Sequence, residues 1–188
     1  MTNAAPSVFV QLRERWVDAA VYTGAVLLAL APLLWCWGGA SVGLIYLCGP
    51  AYILHQIEEH WGDRFRRFVN DHLFGGRDVL TPGAVWWINL PGVWGVNLAA
   101  LHAAVFWGPG WGLAAPYLML VNGVAHGGAA LRFGYNPGLA TSLLLFFPLG
   151  LYAAWVVPAT EIQHAVGLGI AVAIHAVIVI AVARRAAA

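Results

Sequence analysis

The stretch His55-Gln56-Ile57-Glu58-Glu59-His60 sets two carboxylates and two imidazoles side by side in an otherwise apolar run. Side chains of these types ligate divalent cations or pass protons. Inside an apolar helix each ionisable group costs about 2.5–3.5 kcal/mol on insertion scales, so each needs a partner or a purpose. At about 100° per residue, Glu58 and Glu59 flank the direction of His55, and all three fall within one arc of the helix. His60 is expected to point elsewhere. Further along, Asn122 and His126 share one helix face, and His175 is set in the last apolar run.

Helices must position these groups. Of the 188 residues, 61% are apolar and only 9% charged, against about 25% charged in a soluble domain, so lipid is the main solvent. Runs of about 20 apolar residues predict six helices, 19–37, 41–61, 84–107, 111–132, 139–157 and 160–183, in a single all-α polytopic membrane bundle over 1–188. Arginine supports the count. Arg13, Arg15, Arg64, Arg66, Arg67, Arg77, Arg132, Arg184 and Arg185 all fall on one side if there are six spans, whereas five or seven would scatter them. The positive-inside rule makes that side cytoplasmic. Both termini then face inward, the connections near 38–40, 108–110 and 158–159 face outward, and the inner (cytoplasmic) membrane is the expected location. The first apolar run lacks a small-residue cleavage pattern and five similar runs follow it, so it reads as a retained span.

Two segments are expected along the membrane surface. In 63–74, Phe65, Phe68, Val69 and Leu73 recur at helical spacing while Arg64, Arg66 and Arg67 form a basic face; residues 8–17 carry a similar pattern. Tryptophans near the predicted helix ends read as an aromatic belt. Cys36 and Cys48 lie at different depths, and no disulfide is expected. The net charge of +1 says little about partners. Topology accounts for the arginines, leaving no support for nucleic-acid binding.

Depth joins the polar groups. Counting about 1.5 Å per residue from the nearest arginine, Glu58 and His126 lie roughly 9 Å in, and His55 and His175 roughly 13 Å in. Three helices therefore deliver imidazoles and carboxylates to one layer. That is the donor set of a divalent metal site, zinc or iron, with one ion or two, held by His55, Glu58, Glu59, His126 and His175. His102 and His164 count toward the outer half and read as packing groups; His72 belongs to the surface segment. Cys48, on the face of His55, lines a cavity or packs, and packing is the simpler account. Asn89 recurs at the inner level. In Tyr135-Asn136-Pro137-Gly138, Asn136 either caps the fifth helix, with Pro137 in its first turn, or joins Tyr135 in closing the site.

The three motifs His55-x-x-Glu58-Glu59, Asn122-x-x-x-His126 and Tyr135-Asn136-Pro137-Gly138, in this order and spacing over roughly 40–140, resemble the HXXEE family of small bacterial and archaeal integral-membrane proteins. That resemblance implies a suspected but uncharacterised enzymatic role and supports His55, Glu58, Glu59, Asn122, His126 and Asn136 as site residues.

Function divides into classes. The first is a membrane metalloenzyme acting on a lipid or apolar small molecule, with hydrolysis the simplest reaction and iron-dependent oxidation close behind. Glu58 or Glu59 would serve as general base, Asn122 would orient His126 or donate to an oxyanion, and substrate would enter from the inner leaflet beneath 63–74. Without a metal, the same groups suit a proton-shuttling isomerase or cyclase of an isoprenoid. A proton- or metal-coupled transporter also concentrates His and Glu within spans, yet no repeat symmetry is visible and the site is displaced from the midplane. Oligomerisation is left open.

Overall fold

A computed structural model describes residues 13–187, which are helical almost throughout, with no strand among them. The surface segment expected over 8–17 lies outside the described residues up to residue 12. Helix α1 spans Trp16–His60, but Gly39 sits at φ 72°, ψ 178°, a conformation that residues with a Cβ avoid, and the chain folds back there. The pairing across the bend shows the reversal. Tyr46 Oη donates to Leu27 O at 2.7 Å, and a Cβ on Gly24 would meet Ile53 Cγ2 at 2.9 Å. Contacts step outward from Gly39 in both directions, making 16–38 and 40–60 two antiparallel arms.

A 3-10 turn, Trp61–Asp63, leads into the short amphipathic α2, Arg64–Phe68, which widens to i→i+5 bonding over Val69–Leu73. Helix α3 follows over Pro82–Phe106. Thr81 Oγ1 accepts from Ala84 N at 3.3 Å and Pro82 fills the first turn, which is why α3 starts ahead of the expected residue 84. Pro91 has no N–H to give the ladder, and the helix widens around it over Ile88–Trp94. A separate 3-10 turn at Pro109–Gly112 displaces the start of α4 to Ala114, and α4 runs to Phe133. Helix α5 covers Leu139–Val156 and α6 covers Glu161–Ala187, longer than expected because Arg184 and Arg185 continue it.

Four stretches, Trp16–Leu73, Pro82–Phe106, Leu139–Val156 and Glu161–Ala187, are long and apolar enough to cross a membrane. The two arms of α1 fall within the first. Helix α4 is not one of the four, because Asn122, His126 and several glycines dilute its apolar run. The outward faces are apolar, with Trp155 81% and Leu131 93% exposed, as suits lipid rather than water. The core joins the second arm of α1 to α4 and α5 through Ile45, Tyr52, Leu118, Met119 and Phe146. Cys48 is buried in that core and packs.

Candidate metal centre

The second arm of α1 ends in the polar stretch, and its last turns lie against α4. His55 and Glu59, one helical turn apart, share a face, and α4 brings His126 opposite them. Glu59 Oε1 is 3.1 Å from His126 Nε2, and Glu59 Oε2 is 3.5 Å from His55 Nε2. One ligand atom from each residue lies within 4.8 Å of the others, and all three side chains are buried. Atoms about 2.0–2.2 Å from one tetrahedral ion stand roughly 3.3–3.6 Å apart, so a set within 4.8 Å is close enough to draw in around one cation.

Neighbouring hydrogen bonds assign the protons on both imidazoles. Thr141 Oγ1 donates to Glu58 Oε2 at 2.5 Å and therefore accepts from His55 Nδ1 at 2.8 Å. His55 Nε2 is left with a bare lone pair, buried and without a hydrogen-bond partner. On the other side Asn136 Nδ2 donates to His126 O at 3.0 Å, turning Asn136 Oδ1 to accept from His126 Nδ1 at 2.6 Å. His126 Nε2 then faces the Glu59 carboxylate. A carboxylate set against such nitrogens calls for a cation between them, either a proton or a metal ion. The orphaned His55 Nε2 is the observation that fits a metal.

Backbone close to the centre enforces this arrangement. Gly138, at φ +100°, has no room for a side chain: a Cβ would lie 2.6 Å from His126 Cε1 and 2.8 Å from His55 Cε1. Phe146 lies across the His55 ring, centroids 4.3 Å apart, and the two histidine rings meet edge to face at 4.9 Å.

Several expectations need correction. His60 does not point away: its Nε2 is 3.4 Å from Glu59 Oε2. A relay holds it there, in which Trp94 Nε1 donates to Gln56 Oε1 at 2.6 Å, Gln56 Nε2 to Asn89 Oδ1 at 2.8 Å, and Asn89 Nδ2 to His60 Nε2 at 3.1 Å. Asn89 thus occupies the His60 lone pair. Glu58 turns from Glu59 toward α5, where its carboxylate accepts from Thr141 N at 2.8 Å, Ala140 N at 3.1 Å and Tyr135 Oη at 2.9 Å. It satisfies the exposed N–H groups at the start of α5, one of the two roles open to Asn136, whose own side chain serves His126 at the site. Burial, and then the adjacent Glu58 carboxylate, push the Tyr135 phenol above its ordinary range. His175 is not in the ligand group. Its Nδ1 donates to Ala171 O at 2.8 Å, and the side chain lines a cavity with Asn122.

That cavity, about 230 Å³, runs from Glu59, His60, His126 and Asn136 past apolar side chains of α2, α3, α4 and α6. Phe65 and Phe68 of α2 line it. The sequence pattern alone does not reveal Thr141 and Trp94, the close packing of Gly138 on the two histidines, or the hydrogen bonds that join Gln56 to Asn89. Gln56 inside the polar stretch, Asn89 at the inner level and Gly138 in the Tyr135-Asn136-Pro137-Gly138 motif are the available signals; Thr141 carries none until α5 is seen against α1.

No curated protein and no solved structure matches the chain. A family model described as a protein of unknown function with HXXEE motif matches residues 46–153, more than half of the chain, and the chain belongs to this HXXEE family.

Proposed function

We propose that this protein is a membrane-embedded metalloenzyme that holds one divalent ion with His55, Glu59 and His126 and acts, most simply by hydrolysis, on a lipid or apolar small molecule in the adjoining cavity. The observation that carries the reading is the buried, unpartnered Nε2 of His55 beside the Glu59 carboxylate. Two histidines and one carboxylate, with coordination positions left over, are the donor set of catalytic zinc and of non-haem iron(II) chemistry. Glu58 is engaged with α5, so a single carboxylate remains in the ligand group and one ion is favoured over two.

Bound there, the ion would polarise a substrate oxygen or lower the pKa of a water molecule. The chain's own groups do the rest. Asn136 and Thr141 fix the tautomers of the two ligand histidines. His175, with its Nδ1 proton given to Ala171 O, keeps Nε2 as a proton acceptor in the cavity wall, and it replaces Glu58 as the favoured general base. Asn122 supplies an amide in the same wall. The same donor set favours iron-dependent oxidation as the second reading, which metal identity separates from the first.

The bundle crosses the inner membrane six times with both termini cytoplasmic. Arginine asymmetry supports this orientation, together with the gathering of Arg66, Arg77 and Arg185 around the α2–α3 connection and the end of α6. Reporter fusions at residues 39, 109 and 158 test it, and a cytoplasmic signal at any of them overturns it. For the centre, metal content is measured by mass spectrometry on detergent-purified protein. Stoichiometric zinc or iron, lost in Glu59→Gln and His126→Ala, is expected; no ion after gentle purification and reconstitution sinks the proposal.

A further inference from the structure

The cavity beside the centre is not closed on all sides. Two residues that line it, Leu73 at the end of α2 and Val179 on α6, are themselves 52% and 66% exposed. A residue that both lines a cavity and faces outward marks its mouth. Val179 is flanked on α6 by Val177 and Ile180, which are also exposed, on a helix apolar enough to span a membrane. The mouth therefore opens sideways into hydrocarbon. At its rim, Arg77 Nη1 donates to Ala186 O at 2.7 Å and Arg185 Nη1 to Thr81 Oγ1 at 3.2 Å, tying the end of α6 to the segment after α2.

We infer that the gap between α2 and α6 is a lateral portal, and that the ligand it admits is a single-chain amphiphile drawn from the bilayer. The walls between mouth and centre, Phe68, Ile174 and Ile178 among them, are apolar, while the inner end presents Glu59, Asn122, His126 and His175. A compact polar head fits the inner end. A cavity of about 230 Å³ holds roughly seven or eight groups of water or methylene size, so only the first part of the chain is enclosed and the remainder lies in the membrane. A second bulky chain on the same head has no room. The inference uses the metal centre only to say which end of the molecule enters first.

The test is photolabelling in phospholipid nanodiscs with palmitic acid carrying a diazirine in mid-chain, with adducts mapped by mass spectrometry. Labelling assigned to single residues is expected on the cavity-lining Phe68, Leu73, Ile174 and Ile178, displaced by unlabelled palmitate and not by hexadecane. Filling the cavity by Ala129→Phe, or independently by Ile178→Trp, should lower it by about tenfold, equivalent to about 1.4 kcal/mol. Adducts confined to outward positions such as Val177 and Ile180, or labelling that survives in both filled variants, overturn the portal. Ion content measured on the same preparations separates the two proposals. Labelling in protein that never binds an ion keeps the portal and removes the metal centre; stoichiometric ion without such labelling does the reverse.

Discussion

Replacing Thr141 by valine tests whether the histidine geometry is set from outside the ligand group. The substitution keeps the shape and removes the hydroxyl, which in the native protein donates to Glu58 and accepts from His55 Nδ1. Glu58 retains three donors, Thr141 N, Ala140 N and Tyr135 Oη, so the start of α5 stays in place and the lesion falls on His55. That side chain is wholly buried. Its Nδ1–H then either stays unpaired, at about 1–3 kcal/mol, or the proton moves to Nε2, where Glu59 Oε2 is 3.5 Å away and the ligating lone pair disappears. Either route weakens ion binding, and about 10–100-fold is expected for the loss of an orienting partner. Competition titration against a chelator of known affinity measures it in detergent. Thr141→Ser should restore most of the affinity, because it returns the hydroxyl. An unchanged dissociation constant in Thr141→Val, alongside lost binding in His126→Ala, would refute the control of His55 by the Thr141 hydroxyl and leave Thr141 as packing.

Two further outcomes follow from the same geometry. Gly138→Ala places a methyl within 2.6 Å of His126 and 2.8 Å of His55 at a φ of +100°; backbone strain alone costs about 1–3 kcal/mol, and the displaced rings should lose the ion, read as metal content together with a lowered melting temperature. His175→Ala should keep the ion at full stoichiometry, because His175 belongs to the cavity wall; loss of metal from that variant would return it to the ligand set.

Much of the fold is legible because bilayer-spanning chains leave few choices. Apolar runs must be helices, since no water is present to satisfy the backbone otherwise, and the runs expected over 19–37 and 41–61 correspond to the two arms about Gly39. The ends are less legible. They depend on local devices such as the Thr81 cap, the 3-10 turn at Pro109–Gly112 and the continuation of α6 through Arg184 and Arg185.

The site shows the same division more sharply. Depth alone gathers His55, the two glutamates, His126 and His175 into one layer, because counting residues along an apolar helix is counting ångströms, and it therefore admits His175, which stands outside the group His55, Glu59 and His126. Direction is another matter. Neighbouring helical positions diverge by about 100°, so Glu58 and Glu59 cannot face the same partner once helices pack on both sides of the arm. One of them meets α4 and its histidine; the other meets the start of α5, whose unpaired N–H groups also draw a carboxylate. A single helix read alone cannot say which neighbour stands on which side, and the two glutamates therefore look interchangeable. Gln56 and His60 raise the same difficulty: at the level of the sequence they are polar residues beside a metal-like pattern, and only Asn89, carried in by the widened turn of α3, makes them a chain that ends at His60, beside Glu59. On the proposed reading the paired carboxylates are one ligand and one brace, and the Thr141 hydroxyl links the brace to His55. The brace reaches the ion only through the tautomer of His55, so its loss should weaken binding without abolishing it, whereas loss of Glu59 removes the ligand itself.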